Sequence, residues 1–82
     1  MRGRVRFWNA DRGWGAISSD ELPEGQDAFT HCSVLEGRGF RELQAGDLVE
    51  FEAVPARQDS FRWVTEQVRV VGAGPAPTLR RR

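Results

Sequence analysis

The sequence predicts an all-β fold, a five-stranded antiparallel Greek-key barrel. Three observations predict it. Apolar and polar residues alternate with the two-residue period of a strand in five short stretches. Turn-forming Asp, Gly and Pro separate them, at Asp11-Arg12-Gly13, at Pro23 and Gly25, and from Pro55 to Ser60. A chain of 82 residues tolerates exposed strand edges poorly, and closing the sheet into a barrel removes them.

Residues 2–9 read as the first strand, with Val5 inward and Arg4, Arg6 and, after a local bend, Trp8 outward. Asp11-Arg12-Gly13 is a tight turn, because Gly accepts φ > 0. Residues 13–19 form the second strand around Ile17; Gly13 and Gly15 are costly there unless something approaches the backbone closely. Residues 20–26 are an acidic loop and residues 27–32 the third strand, followed by a helical turn at Ser33-Val34-Leu35 with Ser33 as its cap. Residues 36–46 form a long glycine-containing loop with Phe40 at its centre. Residues 47–54 form the fourth strand, with Val49, Phe51 and Ala53 inward. Residues 61–71 form the fifth, with Val64, Val68 and Val70 inward and a bulge disturbing the alternation. The barrel domain is expected at 1–71. Residues 72–82, rich in Gly, Pro and Ala and ending in Arg80-Arg81-Arg82, are expected to be a disordered tail.

Composition excludes several functions. No apolar run reaches membrane-spanning length, and no charged-then-apolar leader opens the chain. Cys32 has no partner for a disulfide and is read as a small buried hydrophobe. A cytoplasmic protein is expected. One His and one Cys, adjacent in sequence, make neither a metal site nor a nucleophile–base pair, so neither metal, cofactor nor catalysis is expected. The 12 basic residues, all Arg, balance 12 acidic ones. That neutrality argues against a purely electrostatic duplex binder. Arg2, Arg4, Arg6 and Arg12 nevertheless flank the aromatic clusters, and Arg both forks onto phosphate and stacks on bases.

Phe7, Trp14, Phe29 and His31 sit at alternating positions beside charged or glycine neighbours. Rings gathered on a wet sheet face form a stacking platform for unpaired bases. The rival reading places Trp8, Trp14 and Phe29 in the core, but a small barrel has little interior to fill. Phe7 and Trp8 are neighbours and cannot both face outward on a regular strand, so one of them is partly buried. Phe40 either anchors its loop or catches a base. Phe61 and Trp63 read as a cross-strand aromatic contact. The Arg80–Arg82 cluster either extends electrostatic reach or solubilises the tail.

These residues resemble the bacterial cold-shock domain. Its opening signature is matched by Gly3-Arg4-Val5-Arg6-Phe7-Trp8-Asn9-Ala10-Asp11-Arg12-Gly13-Trp14-Gly15-Ala16-Ile17, and its second ribonucleoprotein motif by Asp27-Ala28-Phe29-Thr30-His31-Cys32-Ser33. Gly39-Phe40-Arg41-Glu42-Leu43 and Gly46-Asp47-Leu48-Val49-Glu50-Phe51 resemble the segment that follows. The resemblance covers about residues 2–71 and implies an OB-fold barrel that binds single-stranded RNA and DNA. Its base-stacking positions fall on Phe7, Trp8, Trp14, Phe29, His31 and Phe40. Its basic positions fall on Arg4, Arg6 and Arg12, and its polar positions beside the platform on Asn9 and Asp27. Ala16 and Cys32 stand where the family has Phe, and Phe7-Trp8 inverts the usual Trp-Phe order. Two stacking surfaces are therefore expected to be missing or shrunken, and a Phe at position 16 to restore one. Residues 55–63 match poorly and look like an extended hairpin.

The function expected is single-strand binding with low sequence specificity by a monomer, a dimer staying open. By resemblance it is that of an RNA chaperone acting on transcription or translation. The alternative is a protein-interaction module that docks a peptide or subunit on the aromatic face.

Overall fold

The computed structural model describes residues 1–37 and 42–72. The strands are β1 (Arg2–Asn9), β2 (Trp14–Ser18), β3 (Ala28–His31), β4 (Leu48–Gln58) and β5 (Phe61–Gly72), with a 3-10 turn at Cys32–Val34 after β3. They close into a barrel in the order β1-β2-β3-β5-β4. β4 returns to lie beside β1, which is the Greek-key path. Strand direction must return to itself around a closed ring, so an odd number of strands requires at least one parallel pairing. Here it is β3 with β5, Ala28 opposite Trp63 and Phe29 opposite Val64. The other four pairings are antiparallel, as expected.

The core is built from alternate residues of the strands and two loop residues: Val5, Ile17, Leu22, Ala28, Leu43, Val49, Phe51 and Val68. Thr30 and Thr65 are also buried, and Thr65 Oγ1 donates to Thr30 Oγ1 at 3.0 Å, so one hydroxyl partners the other. The inward set of β5 differs from the expectation. Thr65 is buried, whereas Val64 is half-exposed and outside the core. The bulge lies at Gln67, with φ 57, and it shifts the register between Glu52–Glu66 and Glu50–Arg69. Thr65 before it and Val68 after it therefore both point in.

The β4–β5 hairpin is extended, as residues 55–63 suggested, and β4 runs past the expected end at residue 54. Gln58 pairs with Phe61, leaving Asp59 and Ser60 as the loop, and Asp59 takes φ 53. Pro55 thus lies within β4, opposite Trp63. It is tolerated because β4 pairs with β1 only through Leu48–Glu50, so among the described residues its outer edge at Pro55 has no ladder to complete. The cap of the 3-10 turn is His31 and not Ser33: His31 Nδ1 accepts from Ser33 N at 3.1 Å.

On the outside of β1, β4 and β5, Glu50 accepts from Arg2 at 2.9 Å and from Arg69. Arg69 first, then Arg2, hold the Glu50 carboxyl below its ordinary range. This contribution is present at neutral pH, where the unfolded carboxyl is also ionised. It is lost as acid protonates the native carboxylate, below the ordinary Glu value of about 4.3. Melting temperature should therefore fall on acidification, and fall less in Glu50→Gln. Parallel acid profiles for the two proteins would remove Glu50 from the explanation.

Candidate nucleic-acid interface

A bulge in β1 decides which rings face water. Val5 pairs with Ile17 and Phe7 with Ala16, so Arg6 is the extra residue between them. Phe7 turns outward and is 41% exposed, while Trp8 turns inward and packs on the core. The expected outward Trp8 is corrected here. Its indole lies over Gly15, where an added Cβ would sit 2.6 Å from Trp8 Cε3 and would also strike the Phe7 carbonyl oxygen. This close approach is why glycine occupies the middle of β2. The Trp8 Nε1–H is buried without a hydrogen-bond partner among the described residues.

Phe7, Ala16 and Phe29 are consecutive cross-strand partners, so they share one face. Trp14 lies two residues from Ala16 along β2 and bridges the flanking rings. Its centroid is 5.4 Å from Phe7, edge-on at 80°, and 5.3 Å from Phe29, stacked at 22°. Phe61 joins the group from β5, 6.1 Å from Trp14 and 5.7 Å from Phe29. Sequence reasoning expected a cross-strand aromatic contact from this hairpin but did not place Phe61 on the platform; Trp63 packs on the core and its Nε1 donates to Gln26 Oε1 at 2.8 Å.

Ala16 is 1% exposed, beneath this cluster. The expected gap at the absent Phe is therefore closed by its neighbours, and Ala16→Phe has no open site to fill. It must drive Trp14 and Phe29 apart, and a stability loss of about 1–3 kcal/mol is expected, as for other overpacking. Urea unfolding measures it, and an unchanged midpoint would show that the rings part freely. Cys32 is only half-buried, with Sγ against Gly13, which takes φ +75.

His31 is exposed and opposite Trp14 across β2–β3. His31 Nδ1 accepts from Ser33 N at 3.1 Å, which orients the ring. Asn9 organises the β1–β2 turn: Oδ1 accepts from Arg12 N at 3.1 Å and its carbonyl from Gly13 N at 2.8 Å. Arg12 is exposed, and its guanidinium has no partner among the described residues. Arg6 pairs with Asp27 at 2.8 Å, and Arg4 donates to the Gly46 carbonyl at 2.9 Å. Phe40 lies outside the described residues. The structure thus brings Phe7, Trp14 and Phe29 together, sets His31 beside Trp14, and turns Trp8 away. Among the described residues, no cluster of His, Cys, Asp and Glu could hold a metal ion, and no helix is long and apolar enough to cross a membrane.

A closed five-stranded barrel with a ring cluster turned outward beside exposed guanidinium groups defines a small nucleic-acid-binding domain. The family described as "'Cold-shock' DNA-binding domain" matches residues 1–60, and the chain belongs to that family. It is similar to a cold shock-like protein of Thermotoga maritima, 44% identical over 52 residues, covering 63% of this chain and 74% of that protein. The major cold shock protein of Micrococcus luteus is 44% identical over 50 residues, covering 61% and 72%. The cold shock protein CspB of Geobacillus stearothermophilus is 40% identical over 54 residues, covering 66% and 77%.

Proposed function

We propose that the chain binds single-stranded RNA and DNA with low sequence specificity, and acts in the cytoplasm as an RNA chaperone that affects transcription or translation. The observation that carries this reading is the stacked pair Trp14–Phe29 on the outside of the barrel. Flat rings held side by side accept successive bases whatever their identity, and each base–ring contact contributes about 1–3 kcal/mol. His31 extends the row, and Phe40 supplies a further ring for a base. Arg12 takes a phosphate, and Arg4 and Arg6 contribute their remaining donors. Asn9 and Asp27 act by holding the turn and Arg6 in place. The barrel performs no chemistry and needs no ATP. It favours the unpaired state by binding it. Residues 1–71 form the binding unit, and Arg80, Arg81 and Arg82 add an electrostatic contact.

Interleaved Arg side chains weigh against the alternative of an apolar peptide-docking face. The deciding measurement is titration of labelled single strands against duplexes of equal length. Single strands should bind far more tightly, because stacking needs splayed bases and the chain is neutral. Equal affinities would remove the platform. In the same assay, replacing Arg80, Arg81 and Arg82 by Gln should make the salt slope shallower by less than about one unit per Arg. An unchanged slope would place the tail away from the strand.

A further inference from the structure

We propose that the β4–β5 hairpin adds a base-binding subsite at Phe61, which carries the platform past Phe29 toward the loop at Gly25–Asp27. The subsite rests on the single-strand reading above and extends it to residues at and beyond the end of the family match at residue 60.

Three observations support it. The first is the placing of the Phe61 ring. It meets Trp14 at 81° and Phe29 at 62°, so it belongs to the platform cluster. The second is a cleft of about 210 Å³ lined by Gly25, Gln26, Asp27, Ser60, Phe61 and Arg62. Phe61 is the one ring among those lining residues, with the platform rings as its other neighbours. The third is the hydrogen bond from Trp63 Nε1 to Gln26 Oε1, which ties the loop to the hairpin and fixes the two walls of the cleft.

The lining has the chemistry of a nucleotide site. Phe61 supplies a face for the base. The Gln26 amide nitrogen and the Ser60 hydroxyl meet a base edge with donors and an acceptor. Arg62 is exposed, makes no ion pair among the described residues, and supplies the charge for a phosphate. Asp27 is held by Arg6, which limits its repulsion of the incoming strand. The occupant is one further nucleotide of the bound single strand. Trp63 is a positioning residue, since it acts through Gln26.

The test is fluorescence anisotropy of labelled oligothymidine strands of graded length. It compares the wild-type chain with Phe61→Ala, Phe61→Leu, Trp63→Phe, Arg62→Gln and, as a platform control, Trp14→Ala. Phe61→Leu keeps apolar packing without the ring face, and a melting curve for each variant reports folding. Phe61→Ala and Phe61→Leu should lose about five- to tenfold in affinity for strands long enough to pass Phe29, and little for the shortest strands that bind. Trp63→Phe should show the same length dependence. Arg62→Gln should flatten the salt slope by up to about one unit, and only on long strands. Trp14→Ala should lose affinity at every length. Equal losses at every length for Phe61→Leu would mean that Phe61 only buttresses Trp14, and would overturn the subsite. Unchanged binding on long strands would overturn it too, with the platform left standing. A wild-type chain that binds no single strand would remove platform and subsite together.

Discussion

Trp14→Ala is expected to weaken single-strand binding by about 1–3 kcal/mol, and Phe29→Ala by a similar amount, while the barrel stays folded. Neither ring belongs to the buried core cluster, so neither truncation opens a cavity among Val5, Ile17, Val49 and Val68. Trp14 does contact Phe7, Phe29 and Phe61, and each ring pair is worth about 0.5–1.5 kcal/mol beyond area burial. Some fall in melting temperature therefore accompanies the loss of affinity. The two rings stack 5.3 Å apart, so the double variant should lose less affinity than the sum of the singles. Titration of the singles and the double beside Val5→Ala checks this. If Trp14→Ala unfolds more readily than Val5→Ala, the inward and outward faces have been exchanged.

Much of the barrel was legible because its signals are local. Alternation places Val5, Ile17, Val49 and Phe51 in the core, and all four are buried. The turn at Gly13 needs φ > 0, and it has it. What was not legible depends on partners distant in sequence. The parallel β3–β5 pairing follows from ring closure and not from any property of residues 28–31 or 63–64. The bulge at Gln67 moves Thr65 inward and Val64 outward, and no feature of Val-Thr-Glu-Gln-Val announces where the extra residue falls. Pro55 reads as a turn residue, and only the absence of a β1 partner at that height lets it stay in a strand.

The ring cluster was readable from aromatic residues set among glycines and arginines, because few cores accommodate such neighbours. Its details were not. Ala16 looked like an absence, since sequence cannot show that Phe7, Trp14 and Phe29 close over it. Arg6 meets Asp27 across 21 positions, which turns one expected phosphate ligand into half of an ion pair. Phe61 reaches the cluster only because the hairpin runs on to Gln58 before it turns. A signal for that did exist: the poor family match from residue 55, with a ring in the middle of it.

Trp8→Ala is expected to have the opposite signature to Trp14→Ala, with a stability loss of about 3–5 kcal/mol, as for other large aromatic truncations in cores. The indole packs on the core and covers Gly15, so nothing else can fill the space it leaves. For a domain whose whole stability is on the order of 5–15 kcal/mol, this takes much of the margin. Trp8→Phe isolates the indole N–H from the ring. It keeps most of the packing and removes a buried donor that has no partner among the described residues, a group that costs about 1–3 kcal/mol to leave unpaired. Its loss should therefore be much smaller than that of Trp8→Ala. Urea unfolding of both variants, with single-strand titration below the transition, separates the two neighbours in the Phe7-Trp8 pair. Trp8 variants that remain folded should bind nearly as the wild type does, because the base-stacking face begins at Phe7. A folded Trp8→Phe that loses affinity as Trp14→Ala does would place the Trp8 ring in contact with bases, and the β1 bulge would then have to open on binding.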